Sequence, residues 1–231
     1  MLDLSNNYTL PAYVHNVTLD RITKLASFPK FSLKEGYEEG VKALNSVLNP
    51  GTTPFDVPKY EEVKPYYEKF EKDANSTEVI EILYRDKKIN DETRNELHKL
   101  NSLILEREDI EGFDEEINEY IKNIQNNSKL SKETEILCIA GANIAISSKN
   151  YWLNAFNDKE NPWHFIFDES NVQSRLRLPK WLKKVLITVA CDVVGGAVGG
   201  ALGLILSPAG AVAGITVVGG GASAAATKFQ E

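Results

Sequence analysis

The residues of this chain that could do chemistry do not form a catalytic pattern. His15, His98 and His164 stand far apart, and none has a second ligand at the spacing that a metal site requires. The sequence lacks the Gly-x-x-x-x-Gly-Lys, Gly-x-Ser-x-Gly and His-Glu-x-x-His motifs, and no Lys-Ser or Lys-Thr follows its glycine pairs. We therefore expect no catalytic residue, no metal and no cofactor, and the chain is not expected to be an enzyme.

The histidines have structural explanations in the sequence. His15 and Asn16 could cap the first helix, which is a better explanation than a catalytic role, and His98 lies on a charged segment that predicts a solvated side chain. An enzyme would need a polar cleft in the aromatic-rich segment 151–168. An enzyme is the weakest of three functional alternatives, the others being a membrane-associated protein and a soluble binding module.

The spacing that does stand out is that of the glycines in the last fifth of the chain. They recur four residues apart in two rows, and the same spacing returns after a Ser207-Pro208 break. Glycine destabilises a helix by about 1 kcal/mol relative to alanine, so regular glycine on one face indicates a close approach there. The glycines expected to pack are Gly195, Gly199 and Gly203 in one row, Gly196 and Gly200 in the other, and Gly210 and Gly214 after the break.

These glycines must be positioned by two apolar helices. Residues 185–206 would extend about 33 Å as a helix and residues 209–227 about 28 Å, close to the roughly 30 Å of a bilayer core. Ser207 and Pro208 supply the turn between them. A basic and aromatic segment precedes the first arm and is typical of an interfacial anchor, or of a solvated linker; its residues are Arg175, Arg177, Lys180, Trp181, Lys183 and Lys184.

Asp192 complicates a simple membrane span. The eleven Val, Leu and Ile residues of the first arm favour insertion by roughly 3–7 kcal/mol, and a central aspartate would oppose it by up to about 3 kcal/mol. Insertion of one arm alone is marginal, and a paired hairpin is favoured. Asp192 either faces a partner helix or pore, or is exposed near the helix start, and we expect the second.

The rest of the chain is acidic and helical. Residues 1–180 carry 23 basic and 31 acidic side chains, a net charge of −8 within a total of −7, which argues against a nucleic-acid partner. Apolar residues recur at helical spacing, without sustained alternation, so the fold class is predicted to be all-α. Predicted helices begin near Thr18, Ser32 (a capping box with Glu35), Lys59, Ser76 or Thr77, Asn90 or Asp91, Asp114 and Ser131, with the Lys59 helix interrupted near Pro65.

Three regions follow from these patterns. They are an acidic helical domain at 1–170, the basic-aromatic lead-in at 171–184 and a glycine-rich hydrophobic hairpin at 185–231. The start of the chain has no basic or apolar segment of a secretory signal, so we expect a membrane-associated protein whose body is cytoplasmic unless a leader has been removed.

The tail, Asp192-Val-Val-Gly-Gly-Ala-Val-Gly-Gly-Ala-Leu-Gly, resembles the glycine-zipper segments of bacterial membrane-associated proteins and bacteriocin-like peptides. The body resembles uncharacterised bacterial helical proteins that start near a His-Asn pair (His15-Asn16) and have a Tyr-Trp pair (Tyr151-Trp152) after a long helix. The resemblance implies no known activity, and only the glycine rows carry over from it.

Two functions of different classes remain. In the first, a helical body is anchored to a lipid bilayer through the hairpin, or self-associates through the glycine rows into a pore-like homo-oligomer. In the second, a soluble protein-binding module packs the same tail into its own core or oligomerises through it. The place of residues 185–227 in the fold distinguishes the two.

Overall fold

A computed structural model describes residues 8–48, 57–167, 179–204 and 208–229. Within these ranges the chain is helical and has no strand, so the all-α prediction is confirmed. The helices are α1 Leu10–Ile22, α2 Leu33–Val47, α3 Tyr60–Asp73, α4 Ser76–Arg85, α5 Asp91–Leu105, α6 Phe113–Asn126, α7 Lys132–Asn157, α8 Lys180–Leu204 and α9 Pro208–Phe229, with a short 3-10 helix at His164–Phe167.

The last two helices lie in the middle of the fold. They pack against each other as an antiparallel pair, and the earlier helices surround them. Helices α1, α2 and α3 cover α9, whereas α7, α5 and α4 cover α8. The body and the hairpin therefore share one continuous apolar core.

The surrounding helices follow local sequence rules. Helix α6 buries Phe113, Ile117, Tyr120 and Ile124, spaced at one helical turn, and presents its acidic residues outward. The predicted capping box at the start of α2 is present, since Glu35 N–H donates to Ser32 Oγ and the Glu35 carboxylate accepts from Ser32 N–H.

Asn90 and Ser131 cap α5 and α7 as predicted. Helix α4 differs, because its cap is Asn75, whose Oδ1 accepts from Glu78 N–H at 3.0 Å. Ser76, one of the two predicted caps, instead donates its hydroxyl to Asn101 Oδ1 at 2.8 Å in the interior.

The first helix begins earlier than the sequence predicts. Residues up to 17 were expected to be irregular, but α1 starts at Leu10, and Pro11 occupies its first turn, where a missing N–H does no harm. His15 and Asn16 thus lie inside the helix, and the prediction that they cap it is wrong. Tertiary burial of this segment outweighs its weak local helical signal, since Val14 and Leu19 are fully buried.

Two further boundaries differ from the predictions. Helix α3 runs through Pro65 without the predicted interruption, because the burial of Val63, Tyr67 and Phe70 compensates for the hydrogen bond that proline removes. Helix α8 begins at Lys180, so part of the predicted basic lead-in belongs to the first hairpin arm.

Candidate functional site

The two hairpin arms are the candidate functional site. By length and composition, α8 (Lys180–Leu204) and the segment Gly210–Thr227 of α9 are both able to cross a membrane. Inside this fold both are almost entirely enclosed by protein, with 94% and 100% of their apolar windows buried. The core helices of soluble proteins meet the same criteria, so the packing of the arms carries more information than their hydropathy.

The arms meet backbone to backbone. A Cβ atom at Gly199 would lie 2.0 Å from the carbonyl oxygen of Gly214, and one at Gly214 would lie 2.0 Å from that of Gly199. Gly203 is equally close to the carbonyl of Gly210. At Gly195 an added Cβ would overlap that of Ala222, at 2.2 Å. The first predicted glycine row therefore faces the opposite arm, where only a hydrogen fits.

The second row faces the body as well as the hairpin. An added Cβ at Gly200 would lie 2.3 Å from Leu137 of α7 and 2.6 Å from Ile215 of α9. Gly196 has a similar environment against Ile144, at 2.9 Å. These neighbours are ends of side chains, which can move, so this contact is less strict than the one between the arms.

Body helices also approach α9 through glycine, which the sequence analysis missed. A Cβ at Gly40 of α2 would lie 2.6 Å from the Val217 carbonyl, and one at Gly221 would lie 2.2 Å from the Tyr67 hydroxyl. The same hydroxyl donates to the Val218 carbonyl at 3.2 Å. Gly36 and Gly40 are four apart on α2, the same spacing that identified the hairpin rows.

A polar cluster is buried in this apolar interior, at Asp192. The residue was expected to be exposed near the helix start, and this expectation is wrong, because Asp192 is fully buried. Its Oδ2 accepts from Ser148 Oγ at 2.5 Å and from Trp152 Nε1 at 3.3 Å, and lies 3.0 Å from His15 Nε2. The cluster joins α1, α7 and α8, whereas Asp192 Oδ1 is buried without a hydrogen-bond partner.

His15 is held in a site that favours its charged form. Its Nε2 faces the Asp192 carboxylate, and its Nδ1 lies 2.8 Å from Asn16 Oδ1, so both ring nitrogens face oxygen acceptors. Complete burial lowers the pKa of His15, but the adjacent carboxylate and Asn16 raise it, and the net direction is upward. His15 Nε2 makes no aligned hydrogen bond to Asp192, so their 3.0 Å contact is a charge pair, which requires the doubly protonated imidazolium.

The cluster contains Ser, His and Asp but does not have the geometry of a hydrolase. Ser148 donates its hydroxyl to the aspartate, and the histidine contacts that same carboxylate oxygen. The histidine is therefore not placed between serine and aspartate, as it is in a hydrolase. Two surface cavities lie elsewhere, one between α5 and α6 and one near Tyr84 and Leu204, and neither is lined by a member of the cluster. The arrangement binds helices together.

The lead-in residues that the structure describes pack onto the body. Trp181 stacks on Phe156 with the ring centroids 4.4 Å apart, and Lys184 Nζ donates to the Ile166 carbonyl at 2.7 Å. Lys183 is exposed and Lys180 is half-buried. Arg175, Arg177 and the predicted turn residue Ser207 lie outside the described residues; Pro208 begins α9.

The segment 151–168, in which an enzyme would need a polar cleft, is filled with aromatic rings where it is described. Trp152 and Trp163 are fully buried with their ring centroids 5.5 Å apart, and Phe28 packs edge-on against Trp163 at 5.0 Å. His164 Nδ1 contacts the Ala155 carbonyl at 3.0 Å, and His98 Nε2 lies 2.6 Å from Glu81. Among the described residues no group of three metal-ligating side chains comes together.

Comparisons with protein-family models, with curated proteins and with solved structures find no match to this chain. The argument for function therefore depends on the site alone. That site is a glycine-packed apolar hairpin that is enclosed by the other helices and contacts them through a buried polar cluster at Asp192.

Proposed function

We propose that the protein associates with membranes through its carboxyl-terminal hairpin and that the helical body is the soluble housing of that hairpin. In this proposal α8 and α9 leave the body as a pair and enter a lipid bilayer, where they anchor the protein. The observation that carries the proposal is the direct backbone contact between the arms at Gly199, Gly203, Gly210 and Gly214.

That contact stays favourable in lipid. Apolar side chains gain little by packing together in a bilayer, because the lipid tails are just as apolar, whereas close packing between small residues still stabilises a helix pair. The interface of the arms is of this second kind. It also lies within the hairpin, so the pair loses none of it when the body helices are removed.

Membrane association also agrees with the composition of the arms. Ten of the fifteen glycines of the chain lie in residues 195–221, although each costs about 1 kcal/mol of helix propensity. The first arm favours insertion by roughly 3–7 kcal/mol before Asp192 is counted. Helices α2 to α6 are amphipathic, and such helices can lie at the lipid surface once their shared core has opened.

Release would also free the second glycine row. Gly196 and Gly200, which face Ile144 and Leu137 in the housed form, would then be available to a second hairpin. Association of hairpins into a homo-oligomer, including a pore, is the corresponding extension of the proposal. We propose a cytoplasmic-side body, since lysines flank both ends of the hairpin.

The alternative function is a soluble helical binding module in which the tail completes the core. One observation favours it directly, because the two arms are buried almost completely and contact α1, α2, α3 and α7. In that case the hairpin never leaves the body. The two functions therefore differ in a single measurable event, the separation of α9 from the outer helices.

A reversible tether tests that event. A Cβ at Gly220 of α9 would lie 2.8 Å from Cβ of Thr18 in α1, so a disulfide between cysteines there requires the helices to part by only about 1 Å. The variant is Thr18→Cys with Gly220→Cys, in a background in which Cys138 and Cys191 are replaced by alanine. Flotation with liposomes then compares the oxidised and the reduced form of one protein.

We expect the reduced protein to float with the liposomes and the oxidised protein to remain in the soluble fraction. The matched controls are the cysteine-free background, whose flotation must not respond to oxidant, and the melting temperature of the reduced variant, which must stay near that of the background. If oxidised and reduced proteins both stay soluble, as does the unaltered chain, the binding-module function is correct.

A further inference from the structure

We propose that His15 and Asp192 form a proton-gated latch, which holds the hairpin in the body while His15 is protonated and loosens as the pH rises. The inference rests on the membrane role proposed above and adds how the release of the hairpin is controlled. It concerns Asp192, the charged residue of α8 between Val185 and Leu204, which faces His15 of α1 in the interior.

The distances around His15 indicate that it is protonated while the hairpin is packed in the body. His15 Nε2 lies 3.0 Å from Asp192 Oδ2, and Nδ1 lies 2.8 Å from Asn16 Oδ1. A neutral imidazole has one donor nitrogen, so after deprotonation one of these oxygens would face a lone pair in a site without water access. The carboxylate would then depend on Ser148 and Trp152 alone, with its Oδ1 still unpaired.

Among the described residues, the other charged groups of the packed helices that form ion pairs do so with partners outside the cluster. In α9, residues 208–227 contain no ionisable side chain. On α8 itself the lysines stand near its first turn, and its one other ionisable group is the Cys191 thiol. The pairs on the remaining helices are Arg21 with Glu39 and Lys42 with Glu39 (α1, α2), Lys69 with Asp73 and Glu78 (α3, α4), Glu81 with Arg94 and His98 (α4, α5), and Lys149 with Asp114 (α7, α6). Asp20 of α1 accepts from the Tyr151 hydroxyl.

The direction of the pH effect follows from linkage. Burial lowers the pKa of His15, but Asp192 and Asn16 raise it above the 6.5 of an unperturbed histidine. Between that value and the raised pKa, the native state binds more protons than the unfolded state, so stability falls as the pH rises. Below about pH 6.5 the contribution of the latch is complete, and above the raised pKa it is lost.

The test uses the full chain and vesicles of phosphatidylcholine, whose zero net charge removes attraction or repulsion of the acidic body. Flotation is measured from about pH 6 to about pH 9 for the wild type, His15→Gln and His98→Gln. The last is the matched control, because His98 also faces a carboxylate, that of Glu81, but on the surface. It separates the latch from histidine titration in general.

We expect the vesicle-bound fraction of the wild type and of His98→Gln to rise over this range as His15 loses its proton. His15→Gln should bind at pH 6 as strongly as the wild type does at pH 9, without pH dependence. Binding of the wild type that stays constant with pH, or that increases toward acid, overturns the latch.

Thermal unfolding without vesicles separates failure of the latch from failure of the membrane role. The melting temperature of the wild type should fall as the pH rises across the range, and that of His15→Gln should be lower and constant. If this pattern appears while no variant binds vesicles at any pH, the latch stands and the proposed function is wrong. A decline that persists in His15→Gln overturns the latch.

A second variant keeps the test valid if His15→Gln does not fold. Asp192→Asn retains the shape of the side chain and removes the charge that keeps His15 protonated. It should lose the pH dependence of both vesicle binding and melting temperature. An Asp192→Asn protein that keeps the wild-type pH profile excludes the pair as its origin.

Discussion

Helices α2 to α6 pack through large side chains, whereas α8 and α9 contact each other through glycines, where the two backbones touch directly. Around the outside, Phe70, Leu97 and Ile117 interdigitate with their neighbours, and caps and surface ion pairs complete each helix. In the hairpin, carbonyl oxygens lie where a Cβ would be at Gly199 and Gly214. A side-chain interface requires the partner helix that complements it, but the hairpin interface is complete within the hairpin.

The two regions also differ in where their charged side chains lie. The body carries most of its charges at the surface, and several of its ion pairs lie on one helix and one turn apart. The hairpin buries its one central charge, Asp192, and depends on the body for the partner. The contact between the arms is therefore complete within the hairpin, whereas the buried charge of the hairpin depends on the body for its partners.

The largest expected effect is at that buried charge. Asp192→Ala should lower the free energy of unfolding by about 3–5 kcal/mol, because the Ser148 hydroxyl and the Trp152 indole N–H lose their buried acceptor and His15 loses the carboxylate that it faces. Urea denaturation near pH 6 measures the loss. Asp192→Asn should cost less, since its amide oxygen can still accept from Ser148 and Trp152. An Asp192→Ala loss below about 1 kcal/mol would mean that the hairpin depends on the body for little beyond apolar contact.

The next effect separates backbone contact from glycine content. Gly214→Ala should destabilise the fold by about 3 kcal/mol, because the new Cβ would lie 2.0 Å from the Gly199 carbonyl. Gly219→Ala is the matched control in the same helix, because its Cβ would meet neighbours at 3.5 Å and alanine is the better helix former. That variant should be as stable as the wild type or more stable by up to about 1 kcal/mol. Equal losses at the two positions would mean that direct backbone contact between the arms does not contribute specifically to stability.

A smaller effect is expected at a body helix cap. Asn90→Ala should cost about 1 kcal/mol, since Asn90 Oδ1 accepts the Thr93 N–H at 2.8 Å at the start of α5. The same urea titration measures it, with Asn90→Ser as the capping control. Because α5 is an outer helix, vesicle flotation of Asn90→Ala should change less than that of Asp192→Ala. A larger change in flotation for Asn90→Ala than for Asp192→Ala would mean that the stability of the outer helices controls release of the hairpin.

The smallest effect is expected at a surface ion pair. Lys64→Ala removes a contact of 3.5 Å with Glu68 on α3, and both side chains are about half exposed. Its loss should lower the free energy of unfolding by less than about 0.5 kcal/mol. A loss near that of Asp192→Ala would contradict the difference in electrostatics between the two regions.

Much of the fold could be predicted from local sequence. The caps at Ser32, Asn90 and Ser131 were identified correctly because a cap and its N–H donor lie three residues apart. Helix α1 was missed at its start because Pro11 and the asparagines signal irregular structure locally. Its helical form depends on burial against α7 and α9, which no neighbouring residue encodes.

The candidate site shows the same division. The glycine spacing and the lengths of the two apolar arms were visible in the sequence, because residues on one face of a helix recur three or four positions apart. Nothing local joins His15 to Asp192, or Gly40 to Val217. One available hint was a lone aspartate within an apolar arm, which is costly unless a partner compensates for it.

By itself, the sequence determined that the chain forms helices, where most of them begin, and which two are apolar and glycine-rich enough to pair closely. The tertiary structure alone decided that the body encloses this pair and that Asp192 meets His15, Ser148 and Trp152 in its interior. The physical reason is range. Helix period and capping act over three or four residues, whereas the partner of a buried charge is selected by the packing of the whole chain.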